Sequence, residues 1–331
     1  MIPTLEPVSP QGVAVMDLFV MITVACFFIL AIVTTLVCIC IARFRRKPVD
    51  AEPKQVFGNL RMELAWTIAP FLLLVWMFFM TARGMNAALP RETEIKAREP
   101  DLIVTGHQWW WEVRYPKSGV VTANEIHIPV GKRLLARLES ADVIHSFWAI
   151  QFGPKMDMVP GHPNYIWLEA EKPGIYDGAC AEYCGTQHAW MRFFVIAESK
   201  KEFGEWEKAQ KNPVPSNITH MRVDEPHGVS VHVRDDPVVR GKQGFSQMTC
   251  VNCHAINDGT KPAASLPNAG PDLTHLASRR TLAGGVIENN PANLRRWLKN
   301  AQLIKPGSKM PDLSLTDEQV EQLAAYLETL K

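Results

Sequence analysis

An excess of charge of either sign is missing from this 331-residue sequence: 35 Lys and Arg stand against 34 Asp and Glu, a formal net charge of +1. That balance gives nucleic acid no basis as a partner. At 21% charged residues the composition is also too ordinary for a disordered chain. Internal repeats and low-complexity tracts are absent, so the length has to be filled by two or three distinct units. The local absences are sharper. Residues 18–42 contain no Asp, Glu, Lys or Arg, and as a helix these 25 positions extend about 37 Å, beyond the ~30 Å of a hydrocarbon core. Leu64 to Ala82, 19 residues including Pro70, lack charge in the same way. A buried core helix has the same composition, but two such runs so close together are hard to bury in one soluble core. The expectation is a membrane-spanning hairpin. Lys and Arg are missing from the first 13 residues too, so no cleavable signal peptide is expected and the first run stays as an anchor. Arg43, Arg45, Arg46, Lys47, Lys54 and Arg61 lie between the runs. By the positive-inside rule that connection is cytoplasmic, and the N-terminus and everything after about residue 83 lie on the outer face.

Beyond the second run the pattern shortens. Leu102–Thr105, Trp109–Tyr115, Glu125–Val130, Arg133–Leu138, His145–Ile150, Tyr165–Leu168 and Met191–Ala197 read as strands separated by Gly, Pro and Asn, which predicts an antiparallel sandwich or barrel of about 100 residues. Residues 200–210 read as a short helix, and Asn212 to Asp236, rich in Pro, Asn, His and Asp, as a linker. The last part is helical. Asn290 and Pro291 open one helix running to about Ala301. Thr316 and Gln319 form a capping box ahead of Val320, Leu323, Ala324, Leu327 and Leu330 on one face. The predicted division is a hairpin segment at 1–90, a β domain at 91–200, a short helix and linker at 201–237, and an α domain at 238–331.

Seven cysteines divide by place. Cys26, Cys38 and Cys40 sit in the first apolar run, where a small apolar residue is the simple reading. Cys180, Cys184, Cys250 and Cys253 fall on the outer, oxidising side, where close pairs are disulfides, metal ligands or cofactor attachment points. Cys250-Val-Asn-Cys253-His254 matches the C-x-x-C-H signature of c-type haem attachment. Two thiols on one turn add across the haem vinyl groups and set His254 beneath the iron. Half of a zinc site is the competing reading, but no second Cys pair follows. Met310 is the candidate sixth ligand, since a thioether raises the potential, and His275 is its competitor. The region from about Val238 to Lys331, with Gly241 and Phe245 ahead of the motif, resembles a small class I cytochrome c.

The other pair lies in Cys180-Ala-Glu182-Tyr-Cys184-Gly-Thr-Gln-His188-Ala-Trp-Met191. Two thiolates, an imidazole and a thioether form a soft donor set that selects copper over hard cations. A structural zinc held by Cys180, Cys184, His188 and an upstream His is the alternative, and it leaves Met191 without a role. The spacing C-x-E-x-C-x-x-x-H-x-x-M resembles the dinuclear CuA centre of cytochrome c oxidase subunit II, and the resemblance spans about residues 12–205. It implies a cupredoxin-like β-sandwich behind a two-helix transmembrane hairpin, and two coppers bridged by Cys180 and Cys184. His145, in Ala141-Asp-Val-Ile-His-Ser-Phe-Trp148, and His188 would each give one nitrogen, with Met191 and the Glu182 carbonyl completing the set. The Glu182 carboxylate, with Asp157 in the matching segment, would help hold a magnesium ion shared with subunit I. Gly106-His-Gln-Trp109-Trp-Trp-Glu112 resembles the family's aromatic stretch, which makes Trp109 the electron inlet; Trp110 stands where the family usually has Tyr. Glu63, in Glu63-Leu-Ala-Trp66, corresponds to a carboxylate at the mouth of a proton pathway, although a helix N-terminus favours an acid there in any case.

The family resemblance, with its fused cytochrome c, implies the electron-input subunit of a proton-pumping caa-type oxidase in a bacterial inner membrane. Implied partners are subunits I and III, and cytochrome c or a bc-type complex as donor. A quinol oxidase subunit would lack the copper donors. A copper-containing nitric oxide reductase small subunit or a membrane-anchored electron shuttle is the alternative, and Glu63 with the full hairpin favours the oxidase.

Overall fold

The computed structural model describes residues 5–45, 55, 57–214, 236–259 and 269–331. Arg46, Lys47 and Lys54 of the basic connection, and residues 215–235 of the expected linker, lie outside the described residues.

Two long helices open the chain, α1 (Pro10–Arg43) and α2 (Leu60–Ala88). Ser9 caps α1 by accepting from the Gly12 amide, with Pro10 in the first turn where its missing N–H is harmless. Asn59 caps α2 by accepting from Arg61 and Met62. The two helices pack on each other, and their apolar spans have no buried residues, as expected of surfaces that face lipid or another subunit. The hairpin is tied to the β domain through the start of α1. Val8 N donates to Gln151 O, Glu171 N to Val8 O, and Ser9 Oγ to Phe152 O (3.0, 2.8 and 2.6 Å).

After a short helix α3 (Glu92–Ala97) come two five-stranded sheets packed face to face. One has the order β3 (Val120–Ala123), β2 (Trp110–Tyr115), β1 (Leu102–His107), β5 (Leu134–Ser140), β8 (Asn164–Leu168). The other runs β4 (Glu125–Pro129), β10 (Arg192–Glu198), β9 (Gly174–Cys180), β6 (His145–Ala149), β7 (Met156–Met158). Between them lies an apolar core in which Phe147 and Phe193 stack at 4.5 Å and Trp111 meets both rings edge-on. The sandwich is of the cupredoxin-like kind. It differs from the expectation in two ways. β1 pairs β5, and β4 pairs β10, in parallel, so the sheets are mixed rather than antiparallel. Strands β3, β7 and β9 are additional to the predicted set: β9 carries two glycines and an Asp, residues that disfavour strands, and is held by pairing on both sides with β6 and β10. The predicted helix at 200–210 is α4 (Lys200–Lys211), whose Trp206 stacks on His127 at 4.0 Å.

The last unit is helical. α5 (Pro237–Gln247) crosses α8 (Asp317–Leu327) at Gly241, where a Cβ would lie 1.9 Å from the Gln322 carbonyl oxygen. Glycine is therefore what lets these helices touch backbone to backbone. All five residues of the predicted face of α8 and beyond, Val320, Leu323, Ala324, Leu327 and Leu330, are buried, and the Thr316–Gln319 capping box is formed. The helix expected from 291 to 301 is two, α6 (Pro291–Lys299) and α7 (Ala301–Ile304). Asn300 separates them because its side chain turns back to cap the amides of Gln302 and Leu303. A small hairpin, β11 (Thr281–Leu282) and β12 (Ile287–Glu288), precedes α6.

Candidate metal and haem centres

The loop after β9 and the strand beside it bring the soft donors together. Cys180 ends β9, His145 begins β6, and these strands are paired neighbours, so two residues 35 apart in sequence meet. The two thiols are 3.8 Å apart, far longer than a disulfide of about 2.05 Å, and both are buried. His145 Nδ1 faces Cys180 Sγ at 3.9 Å, and His188 Nδ1 faces Cys184 Sγ at 3.7 Å. Met191 Sδ lies 3.8 Å from Cys184 Sγ, and the Glu182 carbonyl oxygen 3.2 Å from Cys180 Sγ. Each imidazole thus faces a different thiol, and six donors exceed the four of a tetrahedral zinc. The set fits soft, thiolate-loving metal in more than one position.

Electrostatics favour thiolate here. The hydrogen bond with Cys184 pulls the Cys180 thiol down against the effect of burial, with His145 adding to the pull. The same tie, with burial, pushes Cys184 up. Burial alone would lower His145, but its bonds to Cys180 and Asp142 outweigh that and raise it. Asp142 accepts from His145 Nε2 at 2.8 Å, which directs Nδ1 at the sulfurs. Motif spacing assigns this carboxylate no role, although it stands three residues before His145.

Trp109 is not on a strand. It forms, with Gln108, the two-residue turn between β1 and β2, because Asp142 takes the Gln108 amide (2.7 Å) and the Trp109 indole N–H donates to Cys184 O (3.1 Å). Gln108 Nε2 reaches the same carbonyl at 2.7 Å. The aromatic residue expected to carry electrons is thereby bonded to the backbone of one cysteine of the donor set. Trp110 instead stacks on His107, and Trp111 is core.

In the helical unit Cys250 and Cys253 share one tight turn, with the amides of Cys253 and His254 both donating to Cys250 O. His254 Nδ1 bonds to the Pro271 carbonyl at 2.8 Å, and Nε2, which has no hydrogen-bond partner among the described residues, is the nitrogen available to iron. Burial pushes this imidazole down, toward the neutral form that ligates. These features fit haem c. Met310 sits on the loop after α7, held by Gln302, whose Nε2 donates to Met310 O at 2.6 Å. Its competitor His275 is buried with both ring nitrogens on backbone carbonyls, Lys331 O and Gln210 O. It is occupied as a clamp between the C-terminus and α4.

The remaining candidates lie elsewhere. Glu63 is exposed at the start of α2, where its carboxylate accepts the Asn59 amide at 3.1 Å, a helix-capping contact. The Glu182 and Asp157 side chains are both exposed beside Ser146, which pairs with Asp157 across the β6–β7 ladder and accepts from the Ala181 amide.

A membrane-anchored electron-transfer protein, with a soft-metal loop on one domain and a haem-attachment turn on the next, is the class that fold and site define. Three family models match in succession: the transmembrane domain of cytochrome c oxidase subunit II at residues 6–82, its periplasmic domain at 118–198, and cytochrome c at 238–331. Cytochrome c oxidase subunit 2 of Alkalihalophilus pseudofirmus is 36% identical over 99% of this chain and 90% of its own length. The same subunit from a Bacillus species is 31% identical over 87% and 80%. Among solved structures, the periplasmic domain of cytochrome oxidase subunit II of Bradyrhizobium japonicum aligns at 32% identity over 34% of this chain and 96% of that one, with a TM-score of 0.33. The chain belongs to the cytochrome c oxidase subunit II family, with a cytochrome c domain behind the subunit II domains, and is therefore part of an oxidase complex.

Proposed function

We propose that this chain is the electron-input subunit of a proton-pumping oxidase. Its residues would hold a haem c, to take electrons from a soluble cytochrome c or a bc-type complex, and a dinuclear copper centre, to hand them on to the haem-copper oxygen-reducing centre of subunit I. The observation that carries this reading is the meeting of both cysteines, both histidines, Met191 and the Glu182 carbonyl within about 4 Å of one another's nearest partner. Copper and haem c bound at these donors supply one-electron carriers. Everything else falls to the chain's own residues. Cys180, Cys184, His145, His188, Met191 and the Glu182 carbonyl would hold the copper, and Asp142 keeps the His145 ring oriented toward it. Trp109 is the electron inlet, with a hydrogen bond into the Cys184 backbone as its route. His254 and Met310 would hold the haem iron.

The exposed Glu182 and Asp157 carboxylates are offered to a magnesium ion at the subunit I boundary. Glu63 stands at the cytoplasmic end of α2 as the mouth of a proton pathway; slowed proton uptake in Glu63→Gln supports that role, and an unchanged rate removes it. Subunit III is the further partner, and a bacterial inner membrane, with both cofactor units on the outer face, is the location.

Metal analysis with optical and EPR spectra on the purified full chain tests the core of this. Two coppers per chain with a mixed-valence signal, plus one covalent low-spin haem, are expected. Zinc, or a single copper, at Cys180 and Cys184 would overturn it.

A further inference from the structure

Between the β-sandwich and the helical unit a lysine is buried. Lys305, only 3% exposed, donates to three backbone carbonyls: Trp109 O at 3.0 Å, Trp190 O at 3.1 Å and Ala283 O at 2.9 Å. Trp109 and Trp190 belong to the sandwich, the first as the candidate inlet and the second between His188 and Met191. Ala283 belongs to the helical unit. All three N–H bonds of the ammonium are thus used, and its charge is met by carbonyl dipoles, an arrangement that suits only a fixed geometry. Burial pushes the amine down to about 8. Gly284 makes room for it: with φ +73, any Cβ there would lie 2.9 Å from Nζ and 3.2 Å from Trp109 O.

A second contact holds the same face. Glu125, 2% exposed on β4, accepts the amides of Arg280 and Thr281 at 2.8 and 3.1 Å. Arg192 N donates to Gly284 O at 3.1 Å, and Gln187 Nε2 to Pro306 O. At the rim Lys309 pairs with Asp142 at 3.4 Å. The directional bonds join backbone on one side to backbone or buried side chain on the other. The loop anchored by Lys305 is also the loop that carries Met310.

We propose that Lys305 is a positioning residue for electron transfer between the chain's own two centres: it pins the cytochrome unit on the metal loop through the backbones of Trp109 and Trp190, so that an external donor reaches the copper donors by way of the chain's haem. This rests on the two-centre reading above. The step itself moves one electron from ferrous haem to the oxidised copper pair, so the haem iron is oxidised and the copper reduced. No bond breaks and no proton is transferred at Lys305.

The test uses the full-length protein and Lys305→Met, which keeps the stem and removes the ammonium. Backbone amide exchange at Arg192, Arg280 and Thr281, measured with and without copper, should be protected in the parent and rise in the variant. After photoreduction of the haem, transfer to copper should be insensitive to viscosity in the parent. In Lys305→Met it should slow about tenfold, as for a docked population reduced to a tenth, and become viscosity-dependent. Soluble reduced cytochrome c should reduce copper only after the haem in the parent, and directly, with a second-order rate, in the variant. Unchanged exchange and unchanged transfer with intact spectra would overturn the proposal. If Lys305→Met alone loses its copper signal, Glu125→Ala, on β4 rather than in the metal loop, decides by the same readouts. Absence of copper or haem signals from the parent would instead sink the two-centre reading.

Discussion

Asp142 shows how much of the metal loop depends on a residue that offers no donor to the metal. It accepts the His145 Nε2 proton and the Gln108 amide together, so it fixes the ring of one candidate ligand and the turn that carries Trp109. Removing such a partner typically weakens metal binding about 10–100-fold. Asp142→Ala should therefore lose copper to a chelator at correspondingly lower chelator concentration in a competition titration, and retention at the parent's level would show that packing alone orients His145. In the helical unit Gln302 has the parallel task. Gln302→Ala should free the Met310 loop and weaken the haem's sulfur-ligand absorption band while the covalent haem remains, and an unaltered band would place the loop's rigidity elsewhere. The cysteines, His188 and Met191 are legible in the sequence because twelve residues hold all of them at fixed spacing. His145 is legible only through the family resemblance, since its nearness to Cys180 comes from strand pairing across 35 positions. Lys305 is not legible at all: a lysine before Pro-Gly reads as a solvated loop charge.

Helices carry clear local signals and strands do so only in part. The apolar runs, the capping box at Thr316 and the buried stripe of α8 all arise from short-range pattern. Strand β9 breaks its own propensity with two glycines, and β7 spans only three residues, so both exist by virtue of their neighbours. The parallel pairings are likewise set by how the chain crosses between sheets, which no window of sequence records. Gly241 gives a quantitative check on helix packing. Gly241→Ala puts a methyl group against the Gln322 backbone, which cannot swing away as a side chain would, and overpacking of this kind costs about 1–3 kcal/mol. Chemical denaturation followed by the helical signal should show a lowered midpoint with unchanged slope. Thr316→Ala, which removes the N-cap of α8, should cost about 1 kcal/mol in the same assay. If Gly241→Ala matches the parent, the contact between α5 and α8 is looser than the backbone approach at Gly241 implies.

At the scale of the whole chain, composition separates three kinds of unit, while the way the cytochrome unit sits on the sandwich is out of its reach. The contacts argued above are polar, Glu125 to two amides and Lys305 to two carbonyls across the boundary, and such contacts leave no periodic trace. Yet covalent connection has a consequence that is independent of the docked geometry. Joining a donor domain to its acceptor replaces a diffusive encounter by an effective concentration of about millimolar order, above what a soluble carrier usually reaches. Oxidase assembled with this chain should therefore turn over with a small-molecule reductant and no added cytochrome c, and its specific rate should not change on dilution. Proteolytic cleavage within residues 212–236 should convert that behaviour to one in which the rate falls with dilution. Turnover that collapses without soluble cytochrome c in the uncut enzyme would mean that the attached haem does not serve as donor, whatever its distance from the copper loop. A rate that survives both cleavage and dilution would mean that the docked contacts alone, with Lys305 at their centre, hold the unit in place.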